Sequence, residues 1–141
     1  MGFESYMFQV KMLNEKNMDF IINEFLKLDY LINNEKNNDV FLEKSYECGF
    51  IEININLCFK YFMIRIAKPN HEEIFDKLII DMIKFNEAIN ISVYDLQLKK
   101  HIDLLNYDEF KKNFIEKNRE FKKFFPDLNY PIRCEEVFGE T

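Results

Sequence analysis

The sequence predicts an α+β fold: an antiparallel sheet of four or five strands with helices on one face, plus an extra C-terminal helix. Three observations predict it. Ile51, Ile53, Ile55, Leu57 and Phe59 alternate with Glu52, Asn54, Asn56, Cys58 and Lys60. Successive strand side chains point to opposite faces, so this stretch has one apolar and one mostly polar side. Ile74, Phe75, Leu78, Ile79, Met82 and Ile83 instead recur at helical spacing. Gly and Pro number only three each, which leaves little room for long irregular loops.

Phe3 to Leu13 alternates imperfectly, with Tyr6, Phe8, Val10 and Met12 on one parity, and reads as a first strand. Asn17 is the expected N-cap of a helix from Met18 to about Lys27, whose inner stripe is Met18, Ile21, Ile22, Phe25 and Leu28. Asn33 to Asp39 (NNEKNND) holds no core-forming residue and reads as a mobile polar loop. Val40 to Glu47 is the second strand, and Gly49 marks the turn that follows. The apolar parity flips at Phe62, Ile64 and Ile66, so Gly49 to Ala67 is two strands, or one long bulged strand, with the break near Cys58 to Tyr61.

Pro69 breaks the chain, and Asn70 with Glu73 at the capping-box spacing is expected to start the second helix. Ile89, Ile91 and Val93 form the next strand. Leu96 and Leu98 continue it in opposite phase after a bulge or bend near Asp95, and His101 to Leu105 closes it or begins a turn. Asn106 is the expected cap of a third helix that turns Phe110, Phe114, Phe121 and Phe125 inward and stops at Pro126. The tail is expected to lie extended, pinned by Tyr130, Ile132, Val137 and Phe138. The order matches a split βαβ arrangement with a ferredoxin-like strand order, in one domain spanning residues 1–141. Ile53 and Leu78 are expected core positions. Lys11, Lys44 and Lys60 are expected to guard strand edges, giving a monomer or weak homodimer.

The chain is acidic, with a formal net charge of −6 and a pI near 5.0. Arg65, Arg119 and Arg133 are its only arginines. Phosphate neutralisation supplies most nucleic-acid affinity, so direct nucleic-acid binding is disfavoured. The start, MGFESYMFQVKM, lacks a basic segment followed by an apolar one, and no apolar run is long enough to span a bilayer. Cys48, Cys58 and Cys134 are scattered without CxxC spacing, which suits reduced thiols in a cytosol.

No catalytic constellation emerges, and the chain is read as a non-enzyme without cofactor or metal. His71 and His101, the only histidines, lie too far from other ligands for a zinc site. Ser5, Ser45 and Ser92 sit in no nucleophile elbow, and three separated glycines build no phosphate loop. Asp95 and Asp103 flank the last strand, and solvated surface charge is their expected role. Charge is uneven, however. Residues 1–58 hold ten acids against five lysines, net −5; residues 126–141 are net −3; residues 106–125 are net +2. An acidic surface built from Glu43, Glu47, Glu52, Glu135 and Glu136 suits a basic protein partner.

Gly2-Phe3-Glu4-Ser5-Tyr6 and Val93-Tyr94-Asp95-Leu96-Gln97, with the strand–helix order between them, resemble small bacterial α+β proteins. Among these are immunity proteins encoded beside polymorphic or contact-dependent toxins. The resemblance implies a cytosolic inhibitor that binds a toxin domain, a nuclease for instance, and needs no catalytic residues. The alternative is a small-molecule-binding or regulatory α+β domain without catalysis.

Overall fold

The computed structural model describes residues 5–14, 17–56, 58, 61–68, 70–127 and 133. The described residues form an α+β structure with seven strands and three helices. The strands are β1 (Ser5–Met12), β2 (Leu31–Lys36), β3 (Asp39–Tyr46), β4 (Gly49–Asn56), β5 (Tyr61–Ala67), β6 (Ile91–Asp95) and β7 (Lys100–His101). The helices are α1 (Met18–Lys27), α2 (Glu73–Ala88) and α3 (Asp108–Phe124).

The sheet has seven strands rather than the expected four or five. Its order is β2-β3-β4-β5-β1-β6-β7, and every pair is antiparallel. The ferredoxin-like order is not the one found. After α1 the chain enters at the far edge and meanders back through β2, β3, β4 and β5. Both β5 and β6, which α2 joins, pair with β1 and so run the same way with β1 between them.

The two unexpected strands are those with the least side-chain signal. All six residues of β2 are exposed, because it is an edge strand held through its backbone to β3. The expected loop over 33–39 is therefore mostly strand. Only Asn37 and Asn38 turn the chain, with Asn37 at φ 57°, a conformation asparagine tolerates. Of the expected bulge or bend near Asp95, the structure has the bend, as a turn over residues 96–99. The Asp95 carboxylate accepts from the Gln97 and Leu98 N–H groups, which folds the chain back into β7.

The central stretch resolves into two strands, β4 and β5, with Ile53 opposite Ile64 and Ile55 opposite Phe62. Tyr6, Phe8 and Val10 of β1 stand opposite Ile66, Ile64 and Phe62, on the same face. All three helices cover that face. Phe25 of α1 meets Phe62 at 5.1 Å and Phe85 of α2 at 4.5 Å between ring centroids. Phe114 of α3 meets Tyr6 edge-on at 5.3 Å and Phe75 of α2 at 5.4 Å. Such pairs add about 0.5–1.5 kcal/mol each beyond area burial. Ile53 and Leu78 are both buried in this core, as expected.

Asn17 caps α1 through its side-chain oxygen, 2.8 Å from the Phe20 nitrogen. The other two caps differ from expectation. Asn70 donates to the Ala67 carbonyl, and it is the His71 ring that accepts from the Glu73 N–H at the start of α2. Asn106 closes a turn on Asp103, and α3 starts after Tyr107, whose hydroxyl donates to Asp76 of α2 at 2.8 Å. Asn70 also explains Gly49. At φ 152° a Cβ there would lie 2.7 Å from the Asn70 side chain.

The lysine guards are corrected as well. Lys11 lies on β1 and Lys44 on β3, both interior strands, and Lys60 lies outside the described residues. The Lys44 side chain is largely buried and faces α2.

Candidate functional site on the helix-free sheet face

Because the three described helices all pack on one face, no described helix lies over the outward parity of the strands. Strand register sets its side chains in rows. One row runs Phe41, Asn54, Met63, Gln9, Tyr94 across β3, β4, β5, β1 and β6. The next runs Glu43, Glu52, Arg65, Met7. All nine side chains are half-buried by their neighbours. Among the described residues on the outward face of these five strands, Lys11 is the only lysine.

Of the sequence-predicted acids, Glu43 and Glu52 are brought together as direct cross-strand neighbours. Each has an arginine counter-ion. Arg133 Nε donates to both Glu43 oxygens, at 2.8 Å to Oε2, and its guanidinium lies 4.3 Å from the centre of the Phe50 ring. Arg65 lies 3.8 Å from Glu52. Glu47 stands apart, exposed in the β3–β4 turn. Glu135 and Glu136 lie outside the described residues, as do Cys134 and the apolar tail residues Tyr130, Ile132, Val137 and Phe138.

Beside the first row is a cleft of about 380 Å3 lined by Gln9, Asp39, Asn54, Asn56, Tyr61 and Met63, with Phe62 and Leu96. Asn56 orients Asp39, its amide nitrogen 2.9 Å from Oδ1, while the Asn56 carbonyl oxygen accepts from the Cys58 N–H at 2.9 Å. Sequence reading missed Gln9, Asp39 and Asn54, since they come together only through register.

Two further acids that sequence reading left solvated or unremarked are buried. Asp95 Oδ2 accepts from the Tyr6 hydroxyl at 2.6 Å, and Oδ1 from Gln97 and Leu98. Asp81 on α2 accepts from the hydroxyls of Tyr30 and Tyr46 at 3.0 and 2.9 Å, with the Lys44 ammonium 3.4 Å away. Asp95 belongs to the second block quoted above, where it works as a buried turn-former. Residues 2–4 of the first block lie outside the described residues.

These acids set a pH limit. Burial, reinforced by the adjacent carboxylate, pushes the Tyr6, Tyr30 and Tyr46 hydroxyls up from the usual tyrosine value. The folded chain thus keeps these protons where the unfolded chain releases them. The contribution of these tyrosines to stability is level below about pH 10 and is lost as pH rises above it. Alkaline titration should show part of the tyrosinate absorbance appearing together with loss of circular dichroism. Tyr30→Phe should make the alkaline decline shallower. A full tyrosinate signal with the fold intact would contradict this.

His101 Nδ1 lies 3.0 Å from the Ser92 hydroxyl and packs against Tyr94. Cys48 is buried, which pushes its thiol up, and Cys58 is exposed; both are free thiols. Among the described residues no group of three or more His, Cys, Asp or Glu is placed to hold a metal, and no helix is long and apolar enough to cross a membrane. Comparisons with protein-family models, curated proteins and solved structures find no match to this chain.

Proposed function

We propose that this protein is a binding module that docks a protein partner on its helix-free sheet face, and that it holds and blocks a toxin domain as the immunity proteins it resembles do. The observation that carries the reading is the composition of the face. Phe41, Met63, Tyr94, Met7 and Arg65 stand in adjacent rows, with Lys11 the single lysine among the described residues there. Aromatic residues, Met and Arg are the types enriched in interface centres, and Lys is depleted. The net charge of −6 favours a basic partner and speeds encounter with it. Glu43 and Glu52 take part by exchanging Arg133 and Arg65 for the partner's cations, while Glu47 offers its charge directly. On this reading the protein works in a bacterial cytosol as a monomer or weak dimer.

The test is co-expression with the product of the neighbouring gene, read by protection from toxicity and by binding kinetics. Phe41→Ala combined with Tyr94→Ala should raise the off-rate by about tenfold or more. Lys at 43, 47 and 52 together should slow association, most clearly at low salt. A wild-type protein that neither binds nor protects removes the reading. Kinetics unmoved by the aromatic pair remove the face.

A further inference from the structure

We propose that the cleft beside the first row is a socket for one arginine side chain of the protein partner. This deepens the docking reading and rests on it. The Asp39 carboxylate lines the cleft with one oxygen fixed by Asn56 at 2.9 Å. Among the described residues, Asp39 enters no ion pair and its Oδ2 accepts no hydrogen bond. It is half-buried, so its charge is only partly solvated and gains from a cation brought to it.

Gln9 and Asn54 flank the same cleft, and neither side chain makes a hydrogen bond within the described protein. Their carbonyl oxygens offer further acceptors to the five N–H groups of a guanidinium. Tyr61 and Met63 supply an aromatic and an apolar wall for the flat group and its stem. A lysine ammonium is a point charge that uses fewer of these acceptors. The volume of about 380 Å3 admits a whole arginine side chain. The overall charge of −6 attracts such a partner in the first place.

The probe is N-acetyl-arginine methylamide, titrated into the full chain and followed by NMR. The expected result is saturable shifts of the Gln9 and Asn54 side-chain amide signals and the Met63 methyl signal. The citrulline analogue, neutral and nearly isosteric, should bind at least about tenfold more weakly, as should the arginine probe to Asp39→Asn. Asp39→Asn keeps the shape and the Asn56 contact, and its backbone spectrum reports that β3 and β4 are intact.

No saturable shift up to about 50 mM overturns the socket, since that range reads millimolar Kd values. Equal binding of the citrulline analogue, or binding unchanged in Asp39→Asn, also overturns it and points to a neutral ligand. The docking reading fails separately. If Phe41→Ala with Tyr94→Ala releases the partner and Asp39→Asn does not, the face stands and the socket falls. If the probe binds as expected and no partner uses the face, the guanidinium site stands and the docking falls.

Discussion

Asp81→Ala is expected to destabilise the protein by about 3–5 kcal/mol, the cost of breaking a buried ion pair from one side. The Asp81 side chain is 3% exposed and that of Lys44 16% exposed, so water enters poorly to replace the lost carboxylate. Removing it strands the Lys44 ammonium between the rings of Tyr46 and Tyr30, 4.9 and 5.5 Å away. It also leaves the Tyr30 and Tyr46 hydroxyls without their acceptor. Urea unfolding at neutral pH measures the loss as a lower midpoint with an unchanged slope. Asp81→Leu combined with Lys44→Met should recover most of it, because a buried pair exchanged for apolar groups of similar size is often neutral. A loss below about 1 kcal/mol in Asp81→Ala would mean that this cluster is hydrated and outside the core.

Asp95→Ala should cost about 3 kcal/mol or more, through donors left unsatisfied rather than through a lost charge pair. Its carboxylate is fully buried and serves Tyr6, Gln97 and Leu98 at once. The Tyr6 hydroxyl also accepts from the Asn113 amide on α3, so the effect extends to that helix. Asp95→Asn keeps one acceptor oxygen and should cost less. Thermal unfolding ranks the two variants. Hydrogen exchange identifies the cause: the Gln97 and Leu98 amides, protected in the native protein, should exchange fast in Asp95→Ala. Protected amides in a variant of near-native stability would show that the turn is held by the backbone alone.

Where side chains face two different media, the sequence was readable. Alternation at Ile51 to Ile55 and the stripe Ile74 to Ile83 located β4 and α2, because each separates core from solvent. β2 was not readable, since both of its faces meet solvent and no alternation marks it. The buried polar residues were legible in hindsight from the same periodicities. Val40 and Leu42 point inward and Lys44 shares their parity; Ile91 and Val93 do so ahead of Asp95. Leu78, Asp81, Met82 and Phe85 follow one helical face. A charge sitting in phase with its apolar neighbours is the signal, and treating acids as surface by type discarded it. The cleft had no such signal. Asp39, Asn54 and Gln9 come from three strands, and only the register of β3 on β4, β4 on β5 and β5 on β1 makes them neighbours.

The placement of β1 also sets the order in which the chain can assemble. The meander from β2 to β5 joins strands that follow one another along the chain, so each pairing closes a short loop. β1 is made before the others, yet it pairs with β5 and β6, whose partner residues lie about fifty to ninety positions later. Loop closure over such separations costs entropy before any contact repays it, and non-local pairing of this kind slows folding. Tyr6, Phe8 and Val10 thus remain uncovered on the nascent chain until α2 and β6 have been synthesised. That interval leaves the apolar first strand open to misassociation during synthesis.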